Sequence, residues 1–195
     1  MIETSEIFNI EELSQNVICP PKQVFKNKEF DFLFVDGGHL VNNNAQYEEF
    51  MFLLKELGET SFVFKENLGA TVTERLKPHS LEFSVNSTLE EFNNKIKEVV
   101  DEHFGMAILH WFVHGNRNDW GIYIAEYPTI NIFGCKTELS HKFRDVFKIE
   151  SNGYNQQKEL LEIEFKHSQN DNIKKEFNSN YGIKTHHNNV SYEKH

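Results

Sequence analysis

The sequence predicts an α+β fold built on a mainly antiparallel sheet, and three patterns carry that expectation. Apolar residues recur at helical spacing in windows near 44–58, 87–105 and 137–149. Between them stand short runs rich in phenylalanine, valine and isoleucine, the composition of buried strands. From Ala107 to Cys135 the chain reads as a three-stranded meander, "AILHWFVH", "WGIYIAEY" and "INIFGC", turned by the polar "GNRND" and by "YPT".

Each element has a local reason. "FDFLFVD" at 30–36 is a buried strand stopped by Gly37 and Gly38, expected to supply positive φ for a turn. In "NNAQYEEFMFLLKELG" an apolar stripe of Tyr47, Phe50, Met51, Leu54 and Leu57 predicts a helix, with Asn43 or Asn44 as N-cap and Gly58 as its stop. "SFVFKEN" is a short strand and "LGATVTERLKPHS" a loop ending near Pro78. "LEFSV" alternates, with Leu81, Phe83 and Val85 on one face. Ser87 and Glu90 have capping-box spacing and open a helix whose stripe is Leu89, Phe92, Ile96, Val99, Val100 and Phe104, ending at Gly105. Its other side offers Glu90, Glu91, Lys95, Glu98 and Asp101 to water. Residues 30–66 and 81–115 thus read as two successive strand–helix–strand units, without a convincing repeat of residues.

After the meander, Thr137 caps a helix that buries Leu139, Phe143, Val146 and Phe147. "KELLEIEFKH" alternates like a strand but has a helix former's composition, and both readings stay open. "DNIKKEFNSNYG" is a short helix capped by Asp171. One domain is expected over 1–183, with 184–195 as a flexible tail.

Composition bounds the function. A chain of 195 residues with 38% hydrophobic and 13% aromatic content can bury a substantial core. No apolar run approaches the roughly 20 residues of a membrane span, and the N-terminal segment carries acids where an export signal carries bases, so a cytoplasmic protein is expected. The net charge is -10, and Arg75, Arg117 and Arg144 are the only arginines. Arginine is the usual reader of phosphates and base edges, so nucleic acid is not an expected partner. Cys19 and Cys135 are too few for a disulfide scaffold.

The residues 108–135 crowd chemistry-bearing side chains together, which raises catalysis. His103, His110 and His114 are close in sequence, but positions four apart on a strand lie about 13 Å apart, too far for one ion. No metal or other cofactor is expected. A cleft enzyme would have to assemble Asp36, His39, His110 and Cys135 as acid, base and nucleophile. "DGGH" lacks the glycine spacing of a phosphate loop. The acid pairs Glu48–Glu49 and Glu162–Glu164 read as solvated faces. Packing and turns account for most of the run, with Trp111 and Val113 on one strand face, Trp120, Ile122 and Ile124 continuing that core, and Tyr123 opposite. The loop Asn116–Asp119 is then the expected exposed feature.

The segment "NRNDWGIYIAEYPTINIFGC", on an acidic chain and preceded by an amphipathic helix, resembles the sheet segments of bacterial polymorphic-toxin immunity proteins. In those small cytoplasmic domains a tryptophan and a glycine often open a strand after a polar turn. The resemblance spans about 107–135. It implies a non-enzymatic inhibitor that occludes the catalytic domain of a cognate toxin. A basic toxin domain would meet an acidic surface that includes Asp119, Glu126, Glu98 and Asp101.

Overall fold

The computed structural model describes residues 2–10, 22–37, 39–41, 43–67, 78–102, 110–125, 129–149 and 171–182. Within them the fold is α+β around one six-stranded sheet. The strands are β1 (Asp31–Asp36), β2 (Ser61–Glu66), β3 (Ser80–Ser84), β4 (Trp111–His114), β5 (Trp120–Ile124) and β6 (Ile130–Cys135). The helices are α1 (Thr4–Ile7), α2 (Asn44–Glu56), α3 (Leu89–Glu102), α4 (Thr137–Val146) and α5 (Asp171–Tyr181). The strand order is β1-β6-β5-β4-β2-β3, and every neighbouring pair is antiparallel. The expected meander is the β4-β5-β6 centre of the sheet. Both strand–helix–strand units are present: α2 links β1 to β2, and α3 links β3 to β4. The alternating directions make each linked pair run the same way, which is why a helix rather than a tight turn joins them.

The sheet is buried on both faces, whereas the sequence pointed to helices closing over one. On the first face, Leu33, Phe62, Phe64, Phe83, Trp111, Val113, Trp120, Ile122, Phe133 and Cys135 share a core with the inner sides of α2, α3 and α4. On the second, Phe34, Phe112, Tyr123, Ile130 and Ile132 pack under α1, the segment around Val24–Phe30, and Phe177 and Tyr181 of α5. Period-two alternation therefore separates two cores over most of the sheet, and core from water in the edge strand β3, where Ser80, Glu82 and Ser84 are exposed behind Phe83. Each fully buried large apolar side chain contributes roughly 1.5–3 kcal/mol to that arrangement.

Helix boundaries follow local chemistry with three corrections, the plainest being Asp171, which is the first residue of α5 and not its cap. Asn43 caps α2 by accepting from the Gln46 amide at 2.9 Å, and Gly58, at φ +79°, lies just past its end. The capping box of α3 is Thr88 with Glu91, one residue later than Ser87 with Glu90. The Glu91 amide donates to Thr88 Oγ1 at 3.2 Å, and the Thr88 amide donates to Glu91 Oε2 at 2.8 Å. Thr137 is the first helical residue of α4, not its cap. Lys136 precedes it with no side-chain cap bond, and its amide donates to the Asp119 carbonyl at 2.9 Å, so the sheet fixes where α4 begins. The segments around 68–77, 103–109 and 151–170, including "KELLEIEFKH", and the expected tail lie outside the described residues.

The second face is closed by aromatic rings seated on glycines. Gly121 of β5 pairs with Gly134 of β6, and their missing side chains make room for Phe8 and Phe25. A Cβ on Gly134 would sit 2.8 Å from Phe25 Cε1, and one on Gly121 2.7 Å from Phe8 Cζ. Phe8 and Phe25 themselves meet ring to ring at 5.0 Å, and their strand-like bridge ties the N-terminal segment to the segment that precedes β1. Gly134→Ala is therefore expected to lower stability in urea denaturation by about 1–3 kcal/mol through overpacking. An unchanged denaturation midpoint would show that Phe25 is free to shift.

Candidate functional site on the helical face

The "GNRND" turn between β4 and β5 is built around a carboxylate that lies far from it in sequence. Glu59, just beyond α2, is only 4% exposed. It accepts from the Asn116 amide at 2.6 Å and from the Trp120 indole N–H at 3.0 Å. Gly115 lies so close to this carboxyl that a Cβ there would overlap it. Arg117 donates to the Leu57 carbonyl at 3.3 Å and forms an ion pair with Asp119. Asp119 is thus 3% exposed and cannot serve as an exposed acid for a partner. Of the loop Asn116–Asp119, only Arg117 and Asn118 are exposed, with Asn116 half-buried.

Of the four residues of the enzyme reading, Cys135 is set apart by the sheet. Cys135 ends β6 opposite Asp31, while Asp36 pairs with Ile130 at the other end of the same two strands, about 16 Å away along extended backbone. Cys135 also belongs to the helix-side core, whereas His110 contacts Tyr123 of the opposite core, with Nδ1 3.2 Å from the phenol oxygen. Burial, and then the Asp31 carboxylate, push the Cys135 thiol up to about 12, so it holds its proton where a nucleophile must lose it. The side chain of His39 is exposed, and its carbonyl accepts from Asn131 at 2.7 Å. Gly37 serves close approach to the Thr129–Ile130 backbone, not the positive φ expected of it.

The histidines of the central run are structural. His103 lies outside the described residues. His114 is buried; its Nδ1 donates to the Gly115 carbonyl at 2.8 Å, so the neutral ring accepts from the Thr4 hydroxyl at Nε2, 3.0 Å away. Burial holds this imidazole below its ordinary value of 6.5, against the pull of Gly115 and Glu59. Among the described residues no group of three His, Cys, Asp or Glu side chains is placed to hold a metal ion.

A second carboxylate–imidazole arrangement escaped the sequence reading. His79, just before β3, sets Nδ1 2.7 Å from the buried Glu66 carboxylate and Nε2 2.9 Å from Glu102 at the end of α3. Only a doubly protonated ring donates to both acids. Burial opposes that form, but the two carboxylates outweigh it and raise the imidazole above 6.5.

Among the described residues the outer sides of α2 and α3 are acidic, while α4 and its flanks set Lys136, Lys142, Arg144 and Lys148 against Glu138 and Asp145. Helix α3 exposes Glu90, Glu91, Glu98, Asp101 and Glu102 against Lys95 and Lys97. Helix α2 exposes Glu48, Glu49 and Glu56 against Lys55. The opposite layer is balanced, with Lys22, Lys26, Lys28 and Lys175 exposed beside Glu3, Glu6, Glu29 and Glu176. Glu98 and Asp101 thus lie on the expected acidic surface, and Glu126 is outside the described residues. On α2, Phe52 is 65% exposed, the large hydrophobic left most open among the described residues. A phenylalanine off the apolar stripe was a visible signal for it.

No family model, no curated protein and no solved structure matches the chain. Among the described residues no helix is long and apolar enough to cross a membrane.

Because the His79 imidazole is raised in the fold, its contribution is complete below pH 6.5 and fades as pH rises through the folded value. His79→Gln should therefore lower the urea midpoint at pH 5.5 more than at pH 8.5. An equal loss at both values would mean that the ring acts by packing alone.

Proposed function

We propose that this chain is a non-enzymatic binding protein of the immunity type, which neutralises a basic bacterial toxin domain by covering that domain's catalytic surface. The observation that carries the reading is the charge distribution among the described residues: an acid excess stands on the outer sides of α2 and α3 while the opposite layer is balanced. A one-sided field orients an oppositely charged partner during encounter and accelerates association. Cys135 stands at the opposite end of the β1–β6 pair from Asp36 and in the opposite core from the Tyr123 that His110 contacts, which weighs against a cysteine-based hydrolytic site.

Co-expression with a toxin encoded beside this gene tests the reading. Expected are survival of the cells, a stoichiometric complex on gel filtration, and an association rate that falls about tenfold or more between low and high salt. Continued cell death with no complex would reject it.

A further inference from the structure

We infer that the groove between α2 and α4, walled by Phe52, is the docking site, and that its occupant is a basic amphipathic segment of the partner protein with an apolar residue seated against Phe52. The inference rests on the acidic-inhibitor reading and specifies where on the helical layer the partner sits.

Helix α2 turns Tyr47, Phe50, Met51, Leu53 and Leu54 into the core, which leaves Phe52 on the outer side. The groove beside it encloses about 570 Å³ and is lined by apolar Leu53 and Val146 and by Glu49, Glu56 and Asp145. A second hollow of about 410 Å³ opens on the other side of the same ring, toward Ser87–Leu89. Phe52 is therefore a ridge that a side chain can approach from two directions. Amphipathic helices use apolar anchors of this kind when they lie in a groove.

Charge selects the occupant. The two lysines of the groove are already held, Lys142 with Glu56 at 3.6 Å and Lys148 with Glu49 at 2.7 Å. These exposed pairs are weak and exchangeable, so an incoming cation can replace either lysine at little cost. Asp145 meets no cation within ion-pair distance among the described residues. A second copy of this chain would bring the same carboxylates, and a net charge of -10, against themselves. A segment with lysine or arginine flanking leucine satisfies both the ring and the acids.

The test uses the full chain and a fluorescein-labelled peptide of about 18 residues with leucine and lysine at helical spacing, beside a scrambled peptide of the same composition. Fluorescence anisotropy should show saturable binding of the amphipathic peptide that Phe52→Ala and Asp145→Lys each weaken about tenfold or more. The double variant Glu98→Gln/Asp101→Gln should change it less than about twofold. Circular dichroism should be unchanged in Phe52→Ala, since the side chain is exposed. Equal binding of the scrambled peptide, or of Phe52→Ala, overturns the site. Weakening in the α3 double variant alone moves docking to α3 and leaves the inhibitor reading standing. Concentration-dependent dimerisation abolished by Phe52→Ala would make a second copy the occupant and overturn the inference. Failure of the wild-type chain to bind either peptide also overturns it, while the co-expression result judges the inhibitor reading separately.

Discussion

The Glu59 carboxylate is the point from which the helical layer is registered on the sheet. It stands where α2 has ended and β2 is about to begin, and it takes hydrogen bonds from the backbone of one strand's turn and the indole of the next strand. Buried carboxylates are tolerated only when donors surround them, and here those donors belong to the Asn116–Trp120 segment. The requirement runs both ways. Gly115 must lack a side chain, Arg117 is drawn to the Leu57 carbonyl, and Asp119 is pulled inward by Arg117. Through the Asp119 carbonyl the same corner sets the start of α4. The groove between α2 and α4 is thus framed by helices that meet at one polar knot.

Burial on both sheet faces encloses most of the chemistry-bearing side chains of the central run. Each histidine, tyrosine or cysteine of the central run that the structure describes is enclosed by one of the two cores and holds a structural partner or a proton. His114 ties Thr4 to the Gly115 carbonyl, His110 leans on Tyr123, and Cys135 sits among phenylalanines. Tyr181 reaches across from α5 to hold the backbone at Lys22 and Val24, closing the second layer with polar bonds as well as rings.

The local patterns were legible because they answer to short-range physics. Stripes at helical spacing located α2, α3 and α4, and short apolar runs between turn signals located the strands, with alternation adding to the reading of β3 and of the meander. Caps shifted by one residue: Thr88 replaces Ser87 because the reciprocal bonds form with Glu91, and Lys136 precedes Thr137 because its amide is held by the Asp119 carbonyl of the sheet. What could not be read were pairings between distant positions. An acid after a helix stop, like Glu59, looks solvated until Trp120 is brought to it. Asp119 looked exposed for the converse reason. The second core was hidden because its cover, α1, the segment around Val24–Phe30 and α5, lies at the two ends of the sequence. Phe52 was visible as a phenylalanine outside its helix's stripe, but the grooves beside it come from α4 and the start of α3.

The dependence of the fold on the Glu59 corner is most directly measured by a double-mutant cycle of Glu59→Gln and Trp120→Phe, followed by urea denaturation. A glutamine keeps one acceptor oxygen but turns its amide N–H groups toward the other donor, so Glu59→Gln is expected to cost about 1.5–3 kcal/mol and the two changes to be coupled by about 1 kcal/mol or more. Additivity within about 0.5 kcal/mol would contradict it, showing that the indole and the carboxylate stabilise the fold independently.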